Sequence, residues 1–241
     1  MTALFVSDLH LDASRPAATD CFLRFLAGPA RDAGTLYILG DLFEAWIGDD
    51  AAGTHERAIL DALRRYTTAG CQCSFLRGNR DFLVGQRFAA ETGVALLADE
   101  SQIELAGQRA LLMHGDTLCT DDHAYQTYRR FVHRPAVEAL YLALPAGLRS
   151  GIAAYARRRS AAANAGKPAA IMDVNSSAVV DALRRHDVPL LIHGHTHRPA
   201  VHALEVDGRQ ARRVVLGAWY DQGSVLHWTA AGPELRSLDF A

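Results

Sequence analysis

Seven residues with good metal-ligating side chains each follow a short apolar run. Asp8 and His10 come after Ala3-Leu4-Phe5-Val6, Asp41 after Thr35-Leu36-Tyr37-Ile38-Leu39-Gly40, and Asn79 after Cys73-Ser74-Phe75-Leu76. His114 follows Ala110-Leu111-Leu112-Met113, and His195 and His197 follow Val188-Pro189-Leu190-Leu191-Ile192. A single Asp-x-His can be a polar turn with a capping carboxylate. Recurrence at five successive strand ends points instead to chemistry, because α/β sheets gather their ligands outside the carboxyl ends of the strands. Side chains two apart on a strand point the same way, which would set Asp8 beside His10. One cation would leave donors idle, whereas two sharing a carboxylate would use all seven. Asp41 is the natural bridge, since its two oxygens can face two ions. Two cations about 3.5–4 Å apart suit in-line displacement at phosphorus. The mixed nitrogen and oxygen donors do not by themselves choose among manganese, iron and zinc.

Arg80 follows Asn79 and offers a planar guanidinium suited to phosphate; its plain alternative is a surface ion pair with Asp81. Glu44, Asp49 and Asp50 lie in an aromatic-rich loop and read either as solvated carboxylates of a packed loop or as part of the site. His186, His202 and His227 read as ordinary core or surface histidines.

The elements that must position these residues alternate at first. Helical spacing covers Ala17–Leu26, His55–Ala69 and Phe82–Glu91, with Gly28, Gly70 and Gly93 as stops. A hairpin is predicted over Gln102–Met113, turning at Ala106-Gly107. Strands follow at Val188–Ile192, Ala200–Val206, Arg212–Leu216, Ser224–Trp228 and Leu235–Leu238, with a turn at Asp207-Gly208. The order begins as β-α-β-α-β and ends all-β, which predicts two packed sheets flanked by helices in one domain. The 241 residues are 49% hydrophobic and 22% charged, with a net charge of -2, as in a globular chain with ample core. Cys21, Cys71, Cys73 and Cys119 form no zinc-type spacing, so reduced thiols in the cytosol are expected. No signal-peptide pattern and no apolar run of about 18 residues is present.

Between Asp122 and Asp173 the sheet pattern breaks off. Tyr125, Tyr128, Phe131 and Val132, then Val137, Leu140, Tyr141 and Leu144, then Leu148, Ile152 and Tyr155 show helical spacing, separated by Pro135, Pro145 and Gly147. From His123 to Pro168 seven arginines and Lys167 face a single acid, Glu138, a surplus of seven positive charges in a chain of net -2. A basic, apolar cap suits an anionic, partly greasy substrate and an anionic membrane surface. A solvated helix face is the plainer reading, and nucleic acid fits less well because the aromatics fall at core-like spacing. Ser160, Asn164 and Lys167 share one face if the helix continues.

Asp8-x-His10, Gly40-Asp41, Gly78-Asn79, His114-Gly115-Asp116 and Gly194-His195-x-His197 resemble the calcineurin-like metallophosphoesterase superfamily in order and spacing. The fuller runs Ser7–Leu11, Gly40–Asp50, Gly78–Leu83, His114–Asp122 and His193–Pro199 are similar to its branch of pyrophosphatases acting on UDP-2,3-diacylglucosamine in lipid A synthesis. The resemblance implies an α/β fold, a four-layer αββα sandwich spanning 1–241, with a helical lid inserted at about 122–170. It implies two manganese ions per chain, one held by Asp8, His10, Asp41 and His197, the other by Asp41, Asn79, His114 and His195. Asn79, Arg80, Asp122, Ser160, Asn164, Lys167 and His195 would contact the substrate, and Asp41, Asn79, Arg80, His114 and His195 would serve the reaction. In that reaction metal-activated water attacks the α phosphorus, giving UMP and 2,3-diacylglucosamine 1-phosphate. Many superfamily members carry His where this chain has Arg80. Arginine cannot give up a proton, so Arg80 favours a leaving group that departs unprotonated, as a phosphate does. The enzyme is expected in the cytoplasm, peripheral on the inner membrane, with no nucleic-acid or obligate protein partner. A generic pyrophosphatase for soluble substrates and a non-catalytic scaffold of the same fold are the rival readings.

Overall fold

A computed structural model describes residues 2–164 and 173–240, apart from the side chain of Asn164. β1 (Ala3–Val6), β2 (Thr35–Leu39), β3 (Gln72–Leu76) and the short β4 (Ala95–Leu96) run parallel, joined through α1 (Pro16–Ala27), α2 (Thr54–Thr68) and α3 (Gln86–Thr92). β10 (Gly223–Thr229) and β11 (Gly232–Leu238) extend this sheet antiparallel beyond β1, giving the order β11-β10-β1-β2-β3-β4. A second sheet is ordered β5-β6-β7-β9-β8, from β5 (Glu100–Leu105), β6 (Gln108–Met113), β7 (Leu190–His193), β8 (Ala200–Val206) and β9 (Arg209–Val215).

The alternation of side chains along these strands builds the layers. Phe5, Leu39 and Leu76 of the first sheet meet Leu112, Ile192 and Val214 of the second in a core between the sheets. Leu4, Val6, Leu36 and Ile38 turn the other way, onto Phe22, Phe25, Ile59 and Leu63 of α1 and α2. Leu111 and Leu191 pack on Val179 and Leu183 of α7 (Ser176–His186). Helices, sheet, sheet and helix make the expected four-layer sandwich.

The helix expected over Phe82–Glu91 begins only at Gln86. Backbone N–H groups of Gly85 and Phe88 donate to Asp49, at 3.0 Å each, so a carboxylate from the loop between β2 and α2 caps this start. Phe82 stacks on His133 instead of joining the helix. The insertion forms α4 (His123–Val132), α5 (Pro135–Leu142) and α6 (Ala146–Asn164). Gly147, expected as a separator, lies in the first turn of α6. Core-like spacing misleads here: α4 and α5 bury no residue, and Leu140 is 70% exposed. The helices have too little chain around them to cover both faces. Polar contacts tie the insertion down. Arg149 donates to Ile47 O and Asp50, Tyr125 Oη and Arg129 Nε each donate to the buried Asp116 at 2.6 Å, and Arg157 lies 3.9 Å from Glu44.

Candidate metal centre

The seven donors come together at one edge of the two sheets. They do not sit on the strands: Asp8, His10, Asp41, His195 and His197 all have φ between 48° and 69°, in the left-handed region. The expectation that strand alternation aligns Asp8 with His10 is therefore corrected. Each chain segment turns sharply past its strand, and the turn aims the side chain inward. Such backbone costs energy and persists where its surroundings over-determine it. Here Asp8 N donates to Gly40 O, and His10 N donates to Asp41 O at 2.9 Å, so the two loops hold one another. Asp81, fully buried, accepts the N–H groups of Gly78 (2.8 Å), Leu42 (2.7 Å) and Asp41 (3.2 Å). Burial and the neighbouring Asp41 push its pKa up to about 7 against these donors. Asp81 is thus a brace between the loops and not the partner of Arg80. Gly78 is required, because a Cβ there would collide with the Asp41 side chain.

The donor atoms face one another at coordination-edge distances. His197 Nε2 lies 3.2 Å from Asp8 Oδ1 and 3.4 Å from His10 Nε2. His114 Nε2 and His195 Nδ1 each lie 3.0 Å from Asn79 Oδ1. Asp41 presents one oxygen to each side: Oδ2 is 3.8 Å from His10 Nε2, and Oδ1 is 3.7 Å from His114 Nε2. Asp8 Oδ2 is taken up by Ser7 Oγ and the His195 N–H, which leaves Oδ1 for a cation. His114 Nδ1 donates to Leu39 O at 2.9 Å, which turns its Nε2 to the Asn79 oxygen; burial lowers its pKa, but the carboxylates of Asp41, Asp8 and Asp116 outweigh that and push it up to about 9, so the ring must give up a proton to ligate. The 3.0 Å spacing of this nitrogen and oxygen also fits a shared cation, since ligands of one ion at about 2.1 Å are separated by about 3 Å. Asp8, Asp41 and His114 are each at most 2% exposed. Burial raises the Asp8 pKa, but the His197 hydrogen bond and the imidazoles of His114, His197 and His10 outweigh it and hold the carboxyl well below its usual range. Burial and His114 push His195 down to about 4, in the neutral form that ligates. The residues fit divalent metal: Asp8, His10 and His197, and likewise Asp8, Asp41 and His114, bring their ligand atoms close enough to share an ion.

The profile of the calcineurin-like phosphoesterase family matches residues 1–199. The chain belongs to that family. It is 55% identical over 240 residues to the UDP-2,3-diacylglucosamine hydrolase of Klebsiella pneumoniae subsp. pneumoniae, and likewise to that of Escherichia coli O81, with 100% of both chains covered in each case.

Around this phosphoesterase centre, Arg80 donates its backbone N–H to Asp41 Oδ1 at 2.8 Å, and its guanidinium lies 3.7 Å from Glu44. Asp122 caps α4 by accepting the Tyr125 N–H at 3.1 Å. Ser160 is exposed on α6, while Lys167 and the side chain of Asn164 lie outside the described residues. Each open acid of the loop finds a partner: Glu44 meets His10, Asp49 caps α3, and Asp50 holds Arg149. Two aromatics escaped the sequence reading. Tyr220 stacks on His10 with 5.6 Å between ring centres, and Tyr125 lies 6.1 Å from His195. Tyr125 was legible only as a helix residue, and nothing around Tyr220 marks it in the sequence.

Proposed function

We propose that this chain hydrolyses the pyrophosphate of UDP-2,3-diacylglucosamine at the α phosphorus, releasing UMP and 2,3-diacylglucosamine 1-phosphate. The observation that carries the reading is the convergence of seven ligating side chains in a chain whose helical insertion leaves large apolar residues exposed. Two divalent cations, manganese by family resemblance, would be held by Asp8, His10, Asp41 and His197 and by Asp41, Asn79, His114 and His195. When bound they supply Lewis acidity and an activated water. Arg80, fixed at its backbone by Asp41, would offer its guanidinium to charge growing on the phosphoryl oxygens. Neutral His195 and Asn79 offer hydrogen-bonding groups beside the same phosphate. A departing phosphate needs no proton, so Arg80 suffices where an alkoxide would need an acid. Asp122, Ser160, Asn164 and Lys167 are assigned to the sugar and its phosphate.

The lid supports the choice of a diacylated substrate. Tyr128, Phe131, Leu140, Leu148, Ile152 and Tyr155 are large, exposed and apolar, and acyl chains would cover them. Its arginines suit the anionic cytoplasmic face of the inner membrane and would hold the enzyme there as a peripheral protein. No helix of the described residues is long and apolar enough to cross a membrane. The test is UMP release in detergent from UDP-2,3-diacylglucosamine and from UDP-N-acetylglucosamine, with manganese and with chelator. Metal-dependent cleavage of the diacylated substrate alone is expected. Equal cleavage of both would favour a pyrophosphatase of soluble nucleotides.

A further inference from the structure

Glu44 lies outside the seven ligands, yet the chain places it against one of them. Beyond β1 and β2 the segments 8–11 and 41–44 continue side by side, with Leu11 N donating to Leu42 O at 2.9 Å and Glu44 N donating to Leu11 O at 3.1 Å. This short extension, marked by the bridge between Leu11 and Phe43, brings the Glu44 carboxylate to the outer nitrogen of His10. Oε2 lies 3.2 Å from His10 Nδ1. Oε1 lies 3.7 Å from Arg80 Nη1 and 3.9 Å from Arg157 Nη1. The His10 ring is 3% exposed and is stacked on Tyr220 with only 5° between the planes.

His10 Nδ1 is buried and makes no well-aligned hydrogen bond, and the Glu44 carboxylate 3.2 Å away is the group placed to hold a proton there and leave Nε2 its lone pair. That Nε2 is the atom facing Asp41 Oδ2 at 3.8 Å and His197 Nε2 at 3.4 Å. We infer that Glu44 is a positioning residue: it fixes the tautomer and ring orientation of His10 for the cation, while Arg80 and the lid's Arg157 hold Glu44 in place. The inference rests on the assignment of Asp8, His10, Asp41 and His197 to one cation.

The experiment is a manganese titration of the chelator-stripped full chain, followed by the electron paramagnetic resonance of free Mn2+. Unaltered protein, Glu44→Ala and Glu44→Gln are compared, with thermal melts confirming that each is folded. Loss of an oriented ligand partner costs about 10–100-fold in metal affinity. Glu44→Ala is expected to lose that much at one of two sites, and Glu44→Gln, which keeps an oxygen acceptor, only a few-fold. Unchanged binding at both sites in Glu44→Ala overturns the inference. So does an equal loss in Glu44→Gln, which would assign the effect to charge facing Arg80 and Arg157. Unaltered protein that binds no manganese overturns the ligand assignment itself, and that outcome is read from the parent chain alone. Should Glu44→Ala fail to fold, ring 15N shifts of the metal-free parent at alkaline pH decide: His10 protonated on Nδ1 supports the inference, and protonated on Nε2 overturns it.

Discussion

Arg149 and Asp50 form the joint between the lid and the catalytic layers: Arg149 Nη1 donates to Asp50 Oδ1 at 2.8 Å, with the arginine 2% exposed and the carboxylate 56% exposed. The same guanidinium caps Ile47 O, and Tyr141 Oη donates to Arg149 O at 2.9 Å. Removing the side chain leaves the carbonyl unpaired, a cost of about 1–3 kcal/mol. Arg149→Leu is expected to raise KM for the diacylated substrate several-fold, change kcat little, and speed hydrogen exchange in α6 while the sheets keep their protection. Equal exchange in α6 would show that the joint does not hold the lid.

Arg80 and the metal ligands are separable by substitution. Arg80→Gln should lower metal affinity by no more than a few-fold, because only its backbone N–H touches Asp41 and Arg157 still faces Glu44. Loss of one positioned donor to a developing oxyanion costs about 2.7–4 kcal/mol, or about 10²–10³ in kcat. A loss of metal in this variant would place Arg80 in the ligand scaffold instead.

Asp116 gives the pH dependence a direction. Its buried carboxyl is held well below its usual range: burial raises it, but His114, Arg129, His195 and the Tyr125 hydroxyl outweigh that. A depressed carboxyl contributes stability that is complete above the unfolded pKa of about 3.9 and is lost as pH falls through the folded value. Acid melts of Asp116→Asn should be flatter below pH about 4 than those of the parent, and its α4 should dock less firmly at neutral pH. Parallel acid limbs would argue against this linkage.

Chelation should destabilise the chain. Five ligand residues occupy left-handed backbone, and the buried Asp8 and Asp41 lack a lysine or arginine side chain against them among the described residues. A ligand at 100 times its Kd stabilises by about 2.7 kcal/mol. Scanning calorimetry with manganese and with chelator should therefore show a higher Tm in the metal, and Asp41→Asn should abolish most of the difference.

Membrane attachment should be electrostatic with an apolar component. Flotation with anionic vesicles should weaken as salt rises, and Ile152→Glu should reduce it without altering metal content. Binding unaffected by salt would remove the lid's arginines from the surface contact.

The ligand positions were readable because the physics that makes them is local. A buried strand has to be apolar, and a charged or imidazole side chain directly after it needs a reason. What was hidden depends on contacts distant in sequence. Asp81 looks like a neighbour for Arg80, yet it faces inward to backbone donors of the Asp41 loop. The start of α3 is set by Asp49, more than thirty residues upstream of Gly85. The lid's helical periodicity was correct, but periodicity reports an apolar face and not what covers it. Leu140 and Phe131 show that face left open.

The parallel pairing of β6 and β7 sets Leu111 beside Leu191, so the chain between them, lid included, is a closed loop on an otherwise fixed sheet. The entropy of closing such a loop grows only logarithmically, about 0.6 kcal/mol for each doubling of its length. Helices can therefore be added there, removed or exchanged at little cost to the strands that carry the reacting groups. On the proposed reading, chemistry and substrate choice are inherited through separate stretches of chain, and a descendant would meet a new pyrophosphate by replacing one insertion.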